Sequence, residues 1–314
     1  VFSEPTKFEW IDISPDSIKP PHTIKFNLNK IQSKPIDLGY AIPLLMPAKD
    51  STFNLNSIAD STFDLASAPT QKLRYKITLL GQPKRKKSGL ARLKDGASEN
   101  LLKFGLDQGL SGTVYSHFRQ DKNGILWIAS DDGLNQFDGE YCETYSVAQG
   151  LLSPWIIRIL IDNKDQIWVR YNLNMGVSVI NKKAGTIKHI TTSEGLSSNA
   201  VRALMEDKKG RIWITTNNGI NVIDQKAGTI KSLTKGQSLG GNNCWGIYQD
   251  SKHRVWSQCG NFIDLLNEEA GTIKHIKGFV ASFSEDKEGN MWFGTQNAGV
   301  LILDEKANIL RKVS

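Results

Sequence analysis

The sequence predicts an all-β fold: a β-propeller of four-stranded antiparallel blades, five of them visible, preceded by an extended, poorly structured N-terminal segment. Three observations carry this. Asp and Trp recur six residues apart in five stretches, and Trp127, Trp168, Trp213, Trp256 and Trp292 are separated by 41, 45, 43 and 36 residues, a period that marks a repeat architecture. Each period holds four short strand-like runs between turn signals, the anatomy of a propeller blade. The Trp-bearing runs at 125–128 and 212–214 are apolar without alternation, as strands covered on both faces are. Helical spacing is absent.

Residues 1–103 carry no copy of the repeat and hold nine of the ten prolines, which resist regular structure. Within them Asp50-Ser51-Thr52-Phe53-Asn54-Leu55 echoes Asp60-Ser61-Thr62-Phe63-Asp64-Leu65. A ten-residue period with one aromatic per copy predicts an extended segment laid along a surface. Residues 23–28 and 73–79 alternate as strands do. Lys84-Arg85-Lys86-Lys87, between Pro83 and Ser88-Gly89, reads as a linker.

The propeller is expected over 104–314, with blades at about 104–149, 150–194, 195–236, 237–277 and 278–314. Each blade opens on a glycine-bearing lead-in, such as Gly109-Leu110-Ser111 or Gly195-Leu196-Ser197, followed by a short apolar strand. An Asp-x-x-Gly turn comes next, in which Asp bonds its own backbone and Gly accepts positive φ. Asp165 and His253 replace the Gly in the second and fourth copies. The Trp strand, a second turn, a third strand such as 219–224 and a fourth strand after an Ala-Gly turn complete the unit.

Net charge is +7, but 39 basic residues are mixed with 32 acidic ones. That is a solvated surface, and no nucleic-acid partner is expected. No apolar run approaches the ~18 residues that span a bilayer, and the start at Val1 reads as a trimmed or fragmentary product. Cys244 faces Cys259 across a hairpin if Gln249 pairs with Arg254, a separation within disulfide reach. Free buried thiols are the favoured reading, and Cys142 has no evident partner.

No phosphate loop, His-Glu-x-x-His or Gly-x-Ser-x-Gly motif is present, so no catalytic residue, cofactor or metal is expected. His189 and His275 occupy one repeat position and read as architectural. The chemistry that remains is ligand binding, on the loops entering the first strand and joining the second to the third. Those loops and strand ends hold Trp155, Arg170, Tyr171, Asn217, Asn218, Asn243, Trp245 and Asn297. Aromatic faces among Asn and Arg donors suit sugars. Asp207 and Trp213, by contrast, recur in every blade and belong to the fold; function should lie where the copies disagree.

The lead-in, the Asp-x-x-Gly turn and the run Trp292-Phe293-Gly294-Thr295 resemble the two-component-regulator propeller repeat. The fourth copy departs most, with Gln258-Cys259-Gly260-Asn261 in place of Gly-Thr. The resemblance implies a non-enzymatic periplasmic or cell-surface sensor that binds an oligosaccharide or other extracellular ligand. It implies an anchored, homodimeric parent protein whose membrane segment and output module lie outside this sequence, and further blades beyond the five. The alternative is a scaffold propeller that docks protein partners, with residues 1–100 as a tethered arm.

Overall fold

A computed structural model describes residues 49–89, 92–93, 102–296 and 299–313. The strand expected at 23–28, most of the proline-rich stretch and Asn297 lie outside the described residues. Five antiparallel sheets account for the repeats. Blade 1 comprises Tyr115–Gln120, Leu126–Ser130, Gly133–Phe137 and Tyr141–Tyr145. Blade 2 comprises Ile156–Ile161, Ile167–Tyr171, Val177–Asn181 and Thr186–Ile190. Blade 3 follows with Val201–Glu206, Ile212–Thr216, Gly219–Asp224 and Thr229–Leu233. Blade 4 has Cys244–Gln249, Val255–Cys259, Phe262–Asn267 and Thr272–Lys277. Blade 5 has Ser282–Glu285, Met291–Gly294, Val300–Asp304 and Ile309–Val313.

The blades are not four-stranded, and this corrects the expectation. Each sheet takes a fifth, outermost strand from the N-terminal region. Lys49–Thr52 pairs with the last strand of blade 5, Asp60–Thr62 with blade 4, Thr70–Lys72 with blade 3, Ile77–Leu79 with blade 2 and Lys84–Lys87 with blade 1. The segment is therefore a belt that visits the blades in reverse order. Lys84–Lys87 is one of its strands and not a linker, and of the run 73–79 only its end is in a strand. After the strand, Phe53, Phe63, Leu73 and Leu80 each donate a backbone N–H to the turn before the neighbouring fourth strand. Side chains then anchor the belt: Leu55 is buried beside Trp256, Phe63 and Leu65 beside Trp213.

The repeated turn works as its residues dictate. Asp207 Oδ1 accepts the N–H groups of Lys209 and Arg211, both at 2.9 Å. Gly210 takes φ 74°, and the substitutes Asp165 and His253 are forced into the same left-handed region at φ 56° and 64°. The other carboxylate oxygen accepts the indole N–H six residues on. That bond recurs in all five blades, as Trp127–Asp121, Trp168–Asp162, Trp213–Asp207, Trp256–Asp250 and Trp292–Asp286, at 2.7–3.1 Å.

The first strand of each blade packs on the first strand of the next, from blade 1 to blade 5. Four apolar clusters fill the four junctions. Among the described residues no comparable packing joins blade 5 back to blade 1. The Trp burials follow: Trp127, Trp168, Trp213 and Trp256 are at most 2% exposed, whereas Trp292 is 39% exposed.

Cys244 and Cys259 form a disulfide, not the free thiols favoured above. Gln249 lies opposite Val255 rather than Arg254, and a bulge between Cys244 and Ile247 restores the opposition of the two cysteines. Cys142 is buried and free, and burial pushes its thiol up to about 11.

Candidate ligand-binding site

The first strands form the convergent edge of the blades, and the lead-in and second-to-third loops sit at one end of it. A buried polar position on the third strand sets these loops. Asn135 and Asn221 accept the lead-in N–H groups of Ser111 and Ser197, at 2.8 and 3.1 Å. In blade 4 Asp264 takes that place, accepting from Gly240 N at 2.8 Å and hydrogen bonding to His275 at 2.8 Å. Burial raises the Asp264 carboxyl above its ordinary range. In blade 2 the Tyr171 hydroxyl accepts from Leu152 N at 3.1 Å and bonds Ser178, which also bonds His189. His189 and His275 are thus strand-locking residues. Tyr171 is 1% exposed, so it supports the loop and has no surface to offer a ligand.

The remaining expected residues lie on blades 2, 3 and 4, and three of those blades' side chains meet. Arg170 Nε donates to the Val201 carbonyl at 2.8 Å, reaching from blade 2 to blade 3. Arg202, on the first strand of blade 3, donates to Asn217 Oδ1 at 2.8 Å. Its guanidinium lies 4.3 Å over the Trp245 ring of blade 4. Thr215 Oγ1 donates to the Trp245 carbonyl at 3.2 Å, fixing the strand that carries the ring. Trp245 is 41% exposed and Trp155 is 45% exposed. The Trp155 carbonyl accepts from Asn172 N at 3.0 Å, which places it beside the second-to-third loop of blade 2. Among the described residues no hydrogen bond or ring contact joins Trp155 to Arg202 or Trp245.

Asn218 spends its side chain on the Ser197 carbonyl at 3.2 Å. Asn243 is exposed and uses its own carbonyl to accept Gly260 N–H at 2.9 Å. Arg158 and Arg202 are residues that the sequence reasoning passed over. The available signal was a charged side chain within an apolar stretch of the first strand, in Ile156–Ile161 and in Val201–Glu206 ahead of its terminal Glu206.

The two-component regulator propeller family model matches residues 109–132, 195–218 and 276–297, each running from a lead-in or fourth strand through the Trp strand. No curated protein matches the chain by sequence. Among solved structures, the extracellular domain of a one-component or hybrid two-component system from B. thetaiotaomicron is similar at 19% identity and TM-score 0.58, covering 84% of this chain and 39% of that one. Virginiamycin B lyase from Staphylococcus aureus is similar at 17% identity and TM-score 0.52, covering 76% of this chain and 74% of the lyase. PorZ, a surface component of the type-IX secretion system of Porphyromonas gingivalis, is similar at 16% identity and TM-score 0.51, covering 74% and 39%. The chain spans about two fifths of the length of the B. thetaiotaomicron domain. At these identities the likeness establishes the propeller fold.

Proposed function

Since three stretches of the chain match the two-component regulator propeller repeat, we propose that it is the ligand-sensing propeller region of a bacterial two-component-type signalling protein. It binds an extracellular ligand and relays the event to an output module outside this sequence, in an anchored, homodimeric parent. The observation that carries the reading is the Asn217–Arg202–Trp245 assembly across blades 3 and 4. It consists of solvent-facing side chains found in single copies of the repeat, on the end of the sheets that the repeat itself leaves variable. An exposed indole beside amide and guanidinium donors suits a glycan fragment, which offers apolar ring faces and hydroxyls. The disulfide fits an oxidising, extracytoplasmic compartment.

The reading is non-enzymatic. Similar folds include a lyase, so the argument rests on the site: its charged groups are arginines, and no carboxylate pairs with them among the described residues. A glycan array probed with the whole chain tests it. Binding of a fragment that Trp155→Ala or Trp245→Ala reduces at least about tenfold, with the bound glycan recovered unaltered by mass spectrometry, is the expected result. Undiminished binding by both variants removes this surface from the account, and a cleaved or eliminated product overturns the sensor assignment.

A further inference from the structure

Four arginines line one stretch of the inner strands of blades 1 to 3. Arg158, on the first strand of blade 2, is directly opposite Arg170 on the second. Like charges directly opposed across a ladder are destabilising. Arg202 follows on the first strand of blade 3, and Arg119 precedes on the first strand of blade 1. Their hydrogen bonds go to neutral groups: Arg119 to the Phe118 carbonyl, Arg170 to the Val201 carbonyl and Arg202 to Asn217. None of the four forms an ion pair with a described carboxylate. The nearby acids do not neutralise them. Asp131, just past its strand, accepts from the backbone of Thr113 and Val114. Glu206, at the far end of its strand, accepts from Asn163 N with one oxygen, while the other is buried without a hydrogen bond among the described residues.

Arg170 and Arg202 are half-buried, whereas Arg119 and Arg158 are exposed beside them. A half-buried guanidinium without a counter-charge is costly, and the row of four is a site awaiting one. We propose that the inner edge of blades 1–3 binds an anionic ligand, bearing carboxylate, sulfate or phosphate groups, through Arg119, Arg158, Arg170 and Arg202. The planar guanidinium matches those oxyanions in bidentate geometry, which an ammonium does not. Trp245 beneath Arg202 holds that fork in place and supplies an apolar face next to it. The charge environment agrees. Burial, then Arg158 and Arg202, lowers Arg170 to about 10. Burial, then Arg119 and Arg158, holds His117 down at about 4, while its Nδ1 accepts the Ile159 N–H at 3.3 Å. At neutral pH the cluster is four positive charges around a neutral imidazole. This inference rests on the sensor reading above and adds the charge class of the ligand.

The test is calorimetric titration of the whole chain with trigalacturonate, with neutral galactotriose and with sodium sulfate, alongside an NMR titration of His117. Trigalacturonate is expected to bind and galactotriose not, with affinity falling as salt rises. Arg158→Gln and Arg202→Gln should each weaken it about tenfold or more, with Arg158→Lys intermediate and the far-ultraviolet dichroism unchanged. The bound anion should also lift His117 from about 4 towards its ordinary value. Equal binding of the neutral and charged trisaccharides, both weakened by Trp245→Ala but not by Arg158→Gln, overturns the anion assignment and leaves the sensor reading intact. A His117 titration indifferent to millimolar trigalacturonate and sulfate also overturns it.

Discussion

Asp207 and Trp213 show how one residue pair can carry a blade. The carboxylate closes the turn with one oxygen and caps the buried indole with the other, at 2.7 Å. Truncating Trp213 to Ala removes a large core side chain and one of the two donors to the buried Asp207 Oδ2, which keeps Arg211 Nε at 2.7 Å, at a cost of about 3–5 kcal/mol. The same change at Trp292, which is 39% exposed, should cost less than half as much; denaturant unfolding of the two variants gives the comparison. His253 sits at φ 64° where other copies have Gly, so His253→Gly should raise stability by about 0.5–1 kcal/mol, read as a higher melting temperature. Asp264 offers a titration test. Its folded pKa is raised above the ordinary 3.8 by burial. The contribution is therefore present below pH 3.8 and is lost as pH rises through the elevated value. Asp264→Asn, the residue of blades 1 and 3 at that position, should flatten this part of the stability profile while keeping the acceptor for Gly240. Asp as turn-former and Trp as core were legible from recurrence alone. The bond between them was not, because a six-residue reach across a hairpin depends on the register.

Among elements, the belt is where the sequence was most and least informative. The echo of 50–55 in 60–65 announced an extended segment on a surface, because Phe63 and Leu65 must fill the same kind of gap that Phe53 and Leu55 fill. The strands Thr70–Lys72, Ile77–Leu79 and Lys84–Lys87 gave no such echo. An edge strand pairs through its backbone and leaves its outward side chains free, so composition hides it. Phe63→Ala, at a site 3% exposed, should cost about 3–5 kcal/mol, with hydrogen-exchange protection lost first in Thr272–Lys277, the strand the belt covers. Inter-blade latches give the belt company: Arg211 of blade 3 bonds Glu268 of blade 4 at 2.7 Å, and Arg254 of blade 4 bonds Glu305 of blade 5. The disulfide adds a local tie at the lead-in end of blade 4. Its cysteines are 15 residues apart, so the Cys244→Ser/Cys259→Ser pair should lose about 3 kcal/mol at most.

At the scale of the molecule, five blades in series, tied from outside by one belt, hold a convergent inner edge whose residues are free to differ. The fold class, the blade order and the search for function at sites of disagreement all followed from the period of the Trp. The arginine row did not, because opposition of Arg158 and Arg170 is a property of register and of neighbouring blades. Tyr171, chosen from the second-to-third loop, is a buried support of the lead-in loop at Leu152. The central claim is that the inner edge of blades 2–4 is a ligand surface and not a packing surface. Titration of one array-identified glycan into the native chain and into Arg202→Gln/Trp245→Ala tests it most directly. The account predicts an affinity loss of at least about a hundredfold with the melting temperature within a degree or two. Native affinity in that variant, or a collapse in its melting temperature with no ligand bound by either protein, would contradict it.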